Sequence, residues 1–301
     1  MHEEHQLERV VVLINASAGS GSDAARVAAL AQQFRQHGQL VDVLLAHSGA
    51  DLINHARQAV AQGVATVVAG GGDGTINAVA AALVGSRTRL GVLPLGTLNH
   101  FAKDMHIPLA LEAAIATVVH GQVVQVDVGE VNGRIFLNNS SLGIYPDIVR
   151  DREQQQRRFG RGKWPAFGRA VFAALRRFPF LSLDLTIDGV QHTRRTPFIF
   201  IGNNEYQQGL STGRRNRLDA GHLCLYVAQR PTRLTLLRYA LQLLFGKLVQ
   251  ARDFDVLQTT ALTIATRRRH LRVATDGEVT RMKPPLHYRS LPAALQVIVP
   301  R

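Results

Sequence analysis

The chain has 301 residues, a formal net charge of +13, a single cysteine and an ordinary apolar fraction of 46%. That length suits two domains with a sizeable core. One cysteine excludes an internal disulfide and a multi-thiolate metal site, and no apolar run approaches the length that spans a bilayer. The start, Met1-His2-Glu3-Glu4-His5, is polar and acidic and does not read as a signal peptide, so a cytoplasmic compartment is expected. The positive charge fits a nucleic acid, an anionic membrane, an acidic substrate or a generally basic surface. Cys224 has apolar neighbours and reads as a buried thiol.

In chain order, Arg9 to Ile14 reads as a first strand. The small-residue loop Asn15-Ala16-Ser17-Ala18-Gly19-Ser20-Gly21 and a helix from Asp23 to Gln36, stopped by Gly38, come next. This loop suits an anion contact or a plain connection. Leu40 to Ala46 is a second strand, Ala50 to Gln62 a helix, and the apolar run Val64 to Ala69 a buried third strand. Gly70-Gly71-Gly72-Asp73-Gly74-Thr75-Ile76-Asn77 follows, opening an apolar helix that ends near Gly85. Strand, glycine turn and helix start form a phosphate cradle, because unpaired amide N–H groups at the helix start face anionic oxygens. No lysine precedes Thr75, so this is not the common ATP loop. Asp73 within it would repel phosphate unless a cation bridges the two or it has a proton to accept, which predicts a nucleotide together with Mg²⁺. A fourth strand, Leu90 to Leu93, runs into Pro94-Leu95-Gly96-Thr97-Leu98-Asn99-His100-Phe101, which alone would read as a loop with an Asn helix cap. Alternating strands and helices predict an α/β domain with a mostly parallel sheet, and ligands in such sheets bind beyond the carboxyl ends of the strands.

Leu109 to His120 reads as a helix, and then the pattern changes. Val123–Val131 and Arg134–Asn138 flank Asn132-Gly133, and Ser182–Ile187 and Val190–Ile201 flank Asp188-Gly189, two hairpin signals. Further strands are expected at Leu223–Ala228, Phe254–Thr266, His270–Ala274 and Ala294–Val299. The second domain is therefore an antiparallel β-sandwich with helical insertions, giving domains 1–125 and 126–301, with the last strand free to return to the first. Between Arg150 and Phe180, nine basic residues mix with six aromatics, and Phe167, Val171, Leu175 and Phe178 share one helical stripe. Such a helix suits an anionic membrane surface or packing on the β domain. Leu234, Leu237, Leu241, Leu244 and Phe245 make a second stripe that suits packing on the β domain or a membrane surface. Arg267, Arg268, Arg269 and Arg272 form a further basic cluster, suited to phosphate, to lipid headgroups or to solvent.

Gly71-Gly72-Asp73-Gly74-Thr75-Ile76-Asn77 resembles the nucleotide loop of the diacylglycerol kinase and sphingosine kinase superfamily, in its bacterial lipid kinase branch. The segment Leu95-Gly96-Thr97-Leu98-Asn99-His100-Phe101 is similar to that family's second loop, and Asn15 begins a counterpart of its first, with Ala16 in place of a proline. The resemblance implies ATP and Mg²⁺, with Gly71 to Asn77, Thr97 and Asn15 at the nucleotide. It places the acidic residue Asp127 close to that site, although Asp127 alone reads equally as a strand-edge carboxylate. Asp276-Gly277-Glu278 resembles the family's Asp-Gly-Glu motif, which would make Glu278 the base that takes a lipid hydroxyl's proton and Asp276 its orienting or metal-holding partner. Asp73 is the other candidate base. On spacing alone Asp276-Gly277 is a hairpin turn. Leu218-Asp219-Ala220-Gly221-His222-Leu223 is similar to the family's structural Mg²⁺ segment, but Ala220 stands where an aspartate is expected. Asp219, one position early, is the candidate carried over for that structural metal.

The resemblance thus implies transfer of a γ-phosphoryl group to a lipid hydroxyl at an anionic membrane surface, from a site in a cleft between domains. Diacylglycerol or a related lipid is the expected acceptor. No nucleic-acid readout motif accompanies the basic residues, and a homodimer is left open. The rivals are a soluble-substrate kinase of the NAD kinase type and a non-catalytic membrane-binding protein that keeps the fold.

Overall fold

The computed structural model describes residues 9–16, 23–143, 180–206, 215, 217–228 and 254–301. In chain order the elements are β1 (Val10–Asn15), α1 (Asp23–Gln36), β2 (Val41–Ala46), α2 (Gly49–Ala61), β3 (Thr66–Gly71), α3 (Asp73–Leu83), β4 (Arg89–Pro94), α4 (His100–Asp104) and α5 (Leu111–His120). They continue with β5 (Gln122–Val131), β6 (Arg134–Phe136), β7 (Asn139–Gly143), β8 (Leu181–Ile187), β9 (Val190–Thr196), β10 (Phe198–Asn203) and β11 (Leu223–Ala228). The last are β12 (Phe254–Thr259), β13 (Ala261–Ala265), β14 (Leu271–Thr275), β15 (Glu278–Met282) and β16 (Leu286–Val299). Two compact units result: Met1–Val128 with Pro292–Arg301, and Gly129–Leu291.

The first unit is α/β. Its strands run in the order β2-β1-β3-β4-β16 and pair in parallel, the end of β16 joining through Val297 opposite Leu90. A parallel strand is covered on both faces, so its sequence is a continuous apolar run rather than an alternation. Val67, Val68 and Ala69 of β3 and Val12 and Leu13 of β1 are fully buried. Among the helices, α1 packs with α5 and α2 with α3. The second of these shows why the local sequence stays helical. The Ser48 Oγ accepts from Asp51 N at 3.1 Å as the N-cap, and Leu52, Ala56 and Ala59 bury one stripe.

The second unit is an antiparallel β-sandwich. One sheet contains β16-β13-β8-β9, with β5 pairing β16 and β6; the other runs β12-β11-β10-β7-β14-β15. The alternating burial of β8 sends Leu181, Leu183, Leu185 and Ile187 into a core shared with Ile199, Ile201, Leu225, Ile264, Val273 and Phe136. Two expected strands divide. Val190–Ile201 breaks at Pro197, which has no N–H for a ladder, and its halves β9 and β10 enter different sheets. Phe254–Thr266 breaks at Thr260, where the Thr259 hydroxyl bonds to Ala261 O and Asp188 Oδ1 and the chain changes sheets. The short β7 was not expected, and β16 begins well before Ala294. Both basic and apolar helical stripes, Arg150 to Phe178 and Leu234 to Phe245, lie outside the described residues. No helix among the described residues is long and apolar enough to cross a membrane.

Cys224 on β11 is fully buried, and burial, aided by Glu205, pushes its thiol up to about 12. Since the thiolate is the reactive form, Cys224 is expected to resist Ellman's reagent at pH 8 in the folded protein and to react within the dead time once the protein is denatured.

Candidate functional site

The first-unit site grows from the junction of β3 and α3. Gly72 is the helix N-cap in extended backbone and offers no side chain to cap the helix. The first intrahelical bond runs from Ile76 N to Gly72 O at 3.1 Å. The N–H groups of Asp73, Gly74 and Thr75 therefore have no intrahelical acceptor, and the positive end of the α3 dipole is left uncapped. The glycines are required by proximity rather than by left-handed backbone. A Cβ on Gly71 would lie 2.4 Å from Thr75 Oγ1, and one on Gly96 would lie 2.4 Å from Gly72 Cα. Thr75 and Asn77 are buried, and Asn77 Oδ1 has no partner among the described residues. Ile76 is fully buried and serves the core, so of the motif's side chains it contributes packing only.

The loop after β4 is locked onto this turn. Leu95 N donates to Gly71 O at 3.0 Å, and Phe101 N, in the first turn of α4, donates to Asp73 Oδ1 at 3.1 Å. Asp73 is thus the acceptor that caps α4. Asn99 stands at the N-cap position of that helix with φ 50°, but its side chain folds back, accepting from Gly96 N and donating to the carbonyls of Pro94 and Gly96. Leu95, Thr97 and Leu98 are exposed around the resulting bend. Asn15 closes β1, next to Ala16, whose N–H bonds Ala46 O at 2.9 Å; residues 17–22 lie outside the description. Asp127 is buried on β5, where its Oδ1 accepts from Ala293 N at 2.9 Å. It pins the bend at Ala293, whose φ is 51°.

In the second unit, Asp276-Gly277 forms the two-residue turn between β14 and β15, with φ of 47° and 87°, the positive values a type I′ hairpin needs. The Asp276 side chain also does something a turn does not require. Its Oδ1 accepts from Asn138 N and Asn139 N at 2.9 Å each, and its Oδ2 from Leu137 N at 2.7 Å. Burial pushes this carboxyl above the usual carboxylate range, against the three N–H donors and Arg215, which pull it down. Buried Arg215 grips the same segment through its carbonyls and side chain, bonding Leu137 O at 2.6 Å, Asn203 O at 3.1 Å and Asn138 Oδ1 at 2.9 Å. Glu278 opens β15, is exposed, and accepts at Oε2 from Arg134 Nη2, while Arg134 Nε donates to Thr275 Oγ1 at 2.9 Å. Asp219 is exposed and paired with Arg217 at 3.0 Å, which holds its carboxyl below the usual range. Among the described residues no group of three His, Cys, Asp or Glu side chains is placed to hold a metal.

The arrangement brings Gly71 to Asn77 together with the Gly96–Phe101 loop, and separately Asp276 with Glu278. Arg134, Asn138 and Arg215 were missed by sequence reasoning. Arg134 follows a plain Asn132-Gly133 turn, and Arg215 stands in a basic run with no periodicity.

A parallel α/β unit with an uncapped glycine-rich helix start, joined to an antiparallel β-sandwich, defines a protein of the diacylglycerol kinase fold. Residues 9–131 match the diacylglycerol kinase catalytic domain and residues 145–299 the YegS C-terminal NAD kinase beta sandwich-like domain, and the chain belongs to the family that combines them. It is similar to a "Probable lipid kinase YegS-like" from Serratia proteamaculans (strain 568), 38% identical over 156 residues, which is 50% of each chain. A protein of the same description from Yersinia pestis (strain Pestoides F) is 38% identical over 129 residues, 42% of this chain and 44% of that one. The chain spans about half the length of the curated relatives it matches. Among solved structures, a diacylglycerol kinase from Bacillus anthracis str. Sterne has a TM-score of 0.70 at 19% identity, covering 98% of this chain and 97% of that one. Another chain from that organism reaches 0.74 at 20% identity, with 98% of each covered, and these likenesses carry the fold.

Two outcomes follow from the contacts. Gly96→Ala sets a methyl group against the Gly72 backbone, which has no flexible side chain to yield. It is expected to lower stability by about 1–3 kcal/mol, the usual cost of overpacking, read from urea unfolding. Asp276→Asn leaves one of three buried N–H groups facing an amide that cannot accept, and should cost about 1–3 kcal/mol in the same measurement.

Proposed function

We propose that the protein is an ATP-dependent lipid kinase that transfers the γ-phosphoryl group to a lipid hydroxyl, with diacylglycerol or a closely related lipid as acceptor. The observation that carries this reading is the uncapped start of α3. Three N–H groups without intrahelical acceptors lie in a turn too tight for any side chain at Gly71, with the Gly96 loop closed against it. This is a cradle for phosphate oxygens.

In the proposed reaction the acceptor oxygen bonds to the γ-phosphorus as the bond to the bridging oxygen breaks, and ADP leaves with that electron pair. The hydroxyl proton passes to a carboxylate. Glu278 is the proposed base, since Arg134 engages Oε2 and leaves Oε1 to accept. Asp276 is a positioning residue, fixing the turn that carries Glu278 to the 137–139 segment. Asp73 keeps one oxygen on Phe101 N and has the other unengaged among the described residues. It fits Mg²⁺ bound mainly through substrate phosphates and one carboxylate, which would neutralise charge on the transferred group. Asp219, held by Arg217, does not offer a comparable free carboxylate.

The test is phosphoryl transfer from labelled ATP to vesicles containing diacylglycerol, monoacylglycerol, phosphatidylglycerol or ceramide, with NAD as the soluble rival. Lipid labelling without NAD labelling is expected. Glu278→Gln should reduce kcat by about 10²–10⁴-fold, the usual worth of a general base. Asp73→Asn keeps an oxygen for Phe101 N, so it should melt like the wild type while losing turnover. A wild-type protein that labels no lipid ends the kinase reading, and full turnover by Glu278→Gln ends the assignment of the base.

A further inference from the structure

Arg134 and Thr275 stand outside the Asp276-Gly277-Glu278 motif, yet Arg134 ties the two ends of its turn together. Arg134 begins β6, directly after the Asn132-Gly133 turn. That turn is clamped to β16. Asn132 N donates to His287 O at 3.1 Å, His287 N donates to Asn132 Oδ1 at 2.7 Å, and Asn132 Nδ2 donates to Pro285 O at 3.3 Å. Gly133 N adds a bond to Glu130 Oε1 at 3.3 Å. The guanidinium therefore springs from an anchored backbone. Its Nε donates to Thr275 Oγ1 at 2.9 Å, and its Nη2 donates to Glu278 Oε2. Thr275 is fully buried on β14, the register partner of both Glu278 on β15 and Ser140 on β7. One arm of the fork rests on the sandwich, and the other holds the carboxylate.

Glu278 has little else to hold it. Its side chain is 57% exposed, and among the described residues Arg134 is its only ion-pair or hydrogen-bond partner. An exposed glutamate left alone samples many rotamers. Pairs this exposed add little to stability, so the fold itself gains little from the contact. A proton acceptor gains more. It must come within about 2.6–3.2 Å of the hydroxyl it deprotonates, and a misplacement of about 1 Å is worth on the order of a hundredfold in rate. Arginine suits this task better than lysine. Its planar fork reaches hydroxyl and carboxylate together in one geometry, whereas an ammonium is a point charge on a flexible stem.

We infer that Arg134 and Thr275 are positioning residues for Glu278: Thr275 anchors the guanidinium, and the guanidinium holds Oε2 so that Oε1 is presented to the acceptor hydroxyl. This inference rests on the lipid kinase reading and on Glu278 as its base. Both residues act through the carboxylate rather than on nucleotide or lipid. Their loss therefore lowers turnover and leaves substrate binding unchanged.

The experiment measures kcat and KM for transfer from ATP to vesicles of the panel lipid that labels best, diacylglycerol being expected. R134Q should lower kcat about 10–100-fold, with both KM values within about twofold of the wild type. T275V, of nearly the same shape, removes only the anchor and should lower kcat about 3–10-fold. R134K keeps the charge without the fork and should recover less than about threefold of the R134Q loss. In the E278Q background, R134Q should cost less than about twofold more, because residues that act as a unit are not additive. Circular dichroism melts of R134Q and the wild type should coincide. Full turnover by R134Q overturns the inference and leaves the kinase reading standing, and full recovery by R134K reduces Arg134 to a charge and overturns the fork. An R134Q loss that appears in KM, or that multiplies with the E278Q loss, means that Arg134 meets a substrate itself and overturns the positioning role. If R134Q melts lower and its folded fraction turns over at the wild-type rate, Arg134 is structural and the inference fails. A wild-type protein that labels no lipid in the panel ends the kinase reading, and this inference with it.

Discussion

The nucleotide-loop unit depends on two backbones approaching with nothing between them. Gly96 comes so close to Gly72 that a methyl group on Gly96 would lie 2.4 Å from the Gly72 Cα, and that closeness lets Leu95 N reach Gly71 O and Phe101 N reach Asp73. The two loops are therefore one object. Under the proposed function, a phosphate at the start of α3 would be held by a turn that a second loop braces, and Asp73, which would otherwise repel an anion, spends one oxygen on that bracing. Preorganised amides of this sort need no rearrangement when charge develops on the ligand, which is the largest contribution most phosphoryl-transfer sites make.

A different device holds the second unit's acids in place. Asp276 and Arg215 grip the same short segment, one through its N–H groups and the other through its carbonyls and a side chain. Polar groups withdrawn from water would be costly alone, but here each is satisfied by backbone groups. These contacts tie the turn that bears Glu278 to the 137–139 segment, and Arg134 pairs with the glutamate itself.

Much of this was legible in the sequence. The apolar runs Val10–Ile14 and Val64–Ala69 state parallel strands, because strands buried on both faces cannot alternate. The glycine turn before Thr75 states the helix start. The sandwich was visible through Asn132-Gly133, Asp188-Gly189 and Asp276-Gly277, all of which adopt the positive φ those pairs favour. Strand breaks at Pro197 and Thr260 were less legible, since a β-rich stretch gives no sign of which sheet each half will join. The reason for the glycines was also hidden: Gly71 is crowded by the Thr75 side chain and Gly96 by the Gly72 backbone, contacts that only the folded turns create. Long-range polar partners such as Arg134, Asn138 and Arg215 leave no local pattern, because their positions are set by the sheets and not by their neighbours in sequence.

The path of β16 carries a consequence for how this protein is made. Its last residues complete the parallel sheet beside β4, while the whole of the Gly129–Leu291 unit lies between them in the chain. On the ribosome, the strand that borders the nucleotide-loop sheet emerges only after the sandwich has been synthesised. The edge of β4 stays open through that interval, a template for unwanted pairing, and closing it is a contact of very long sequence separation, the slowest kind to form. Folding of the amino-terminal unit is therefore tied to synthesis of β16, and a nascent chain stalled before that strand would display an unclosed β4.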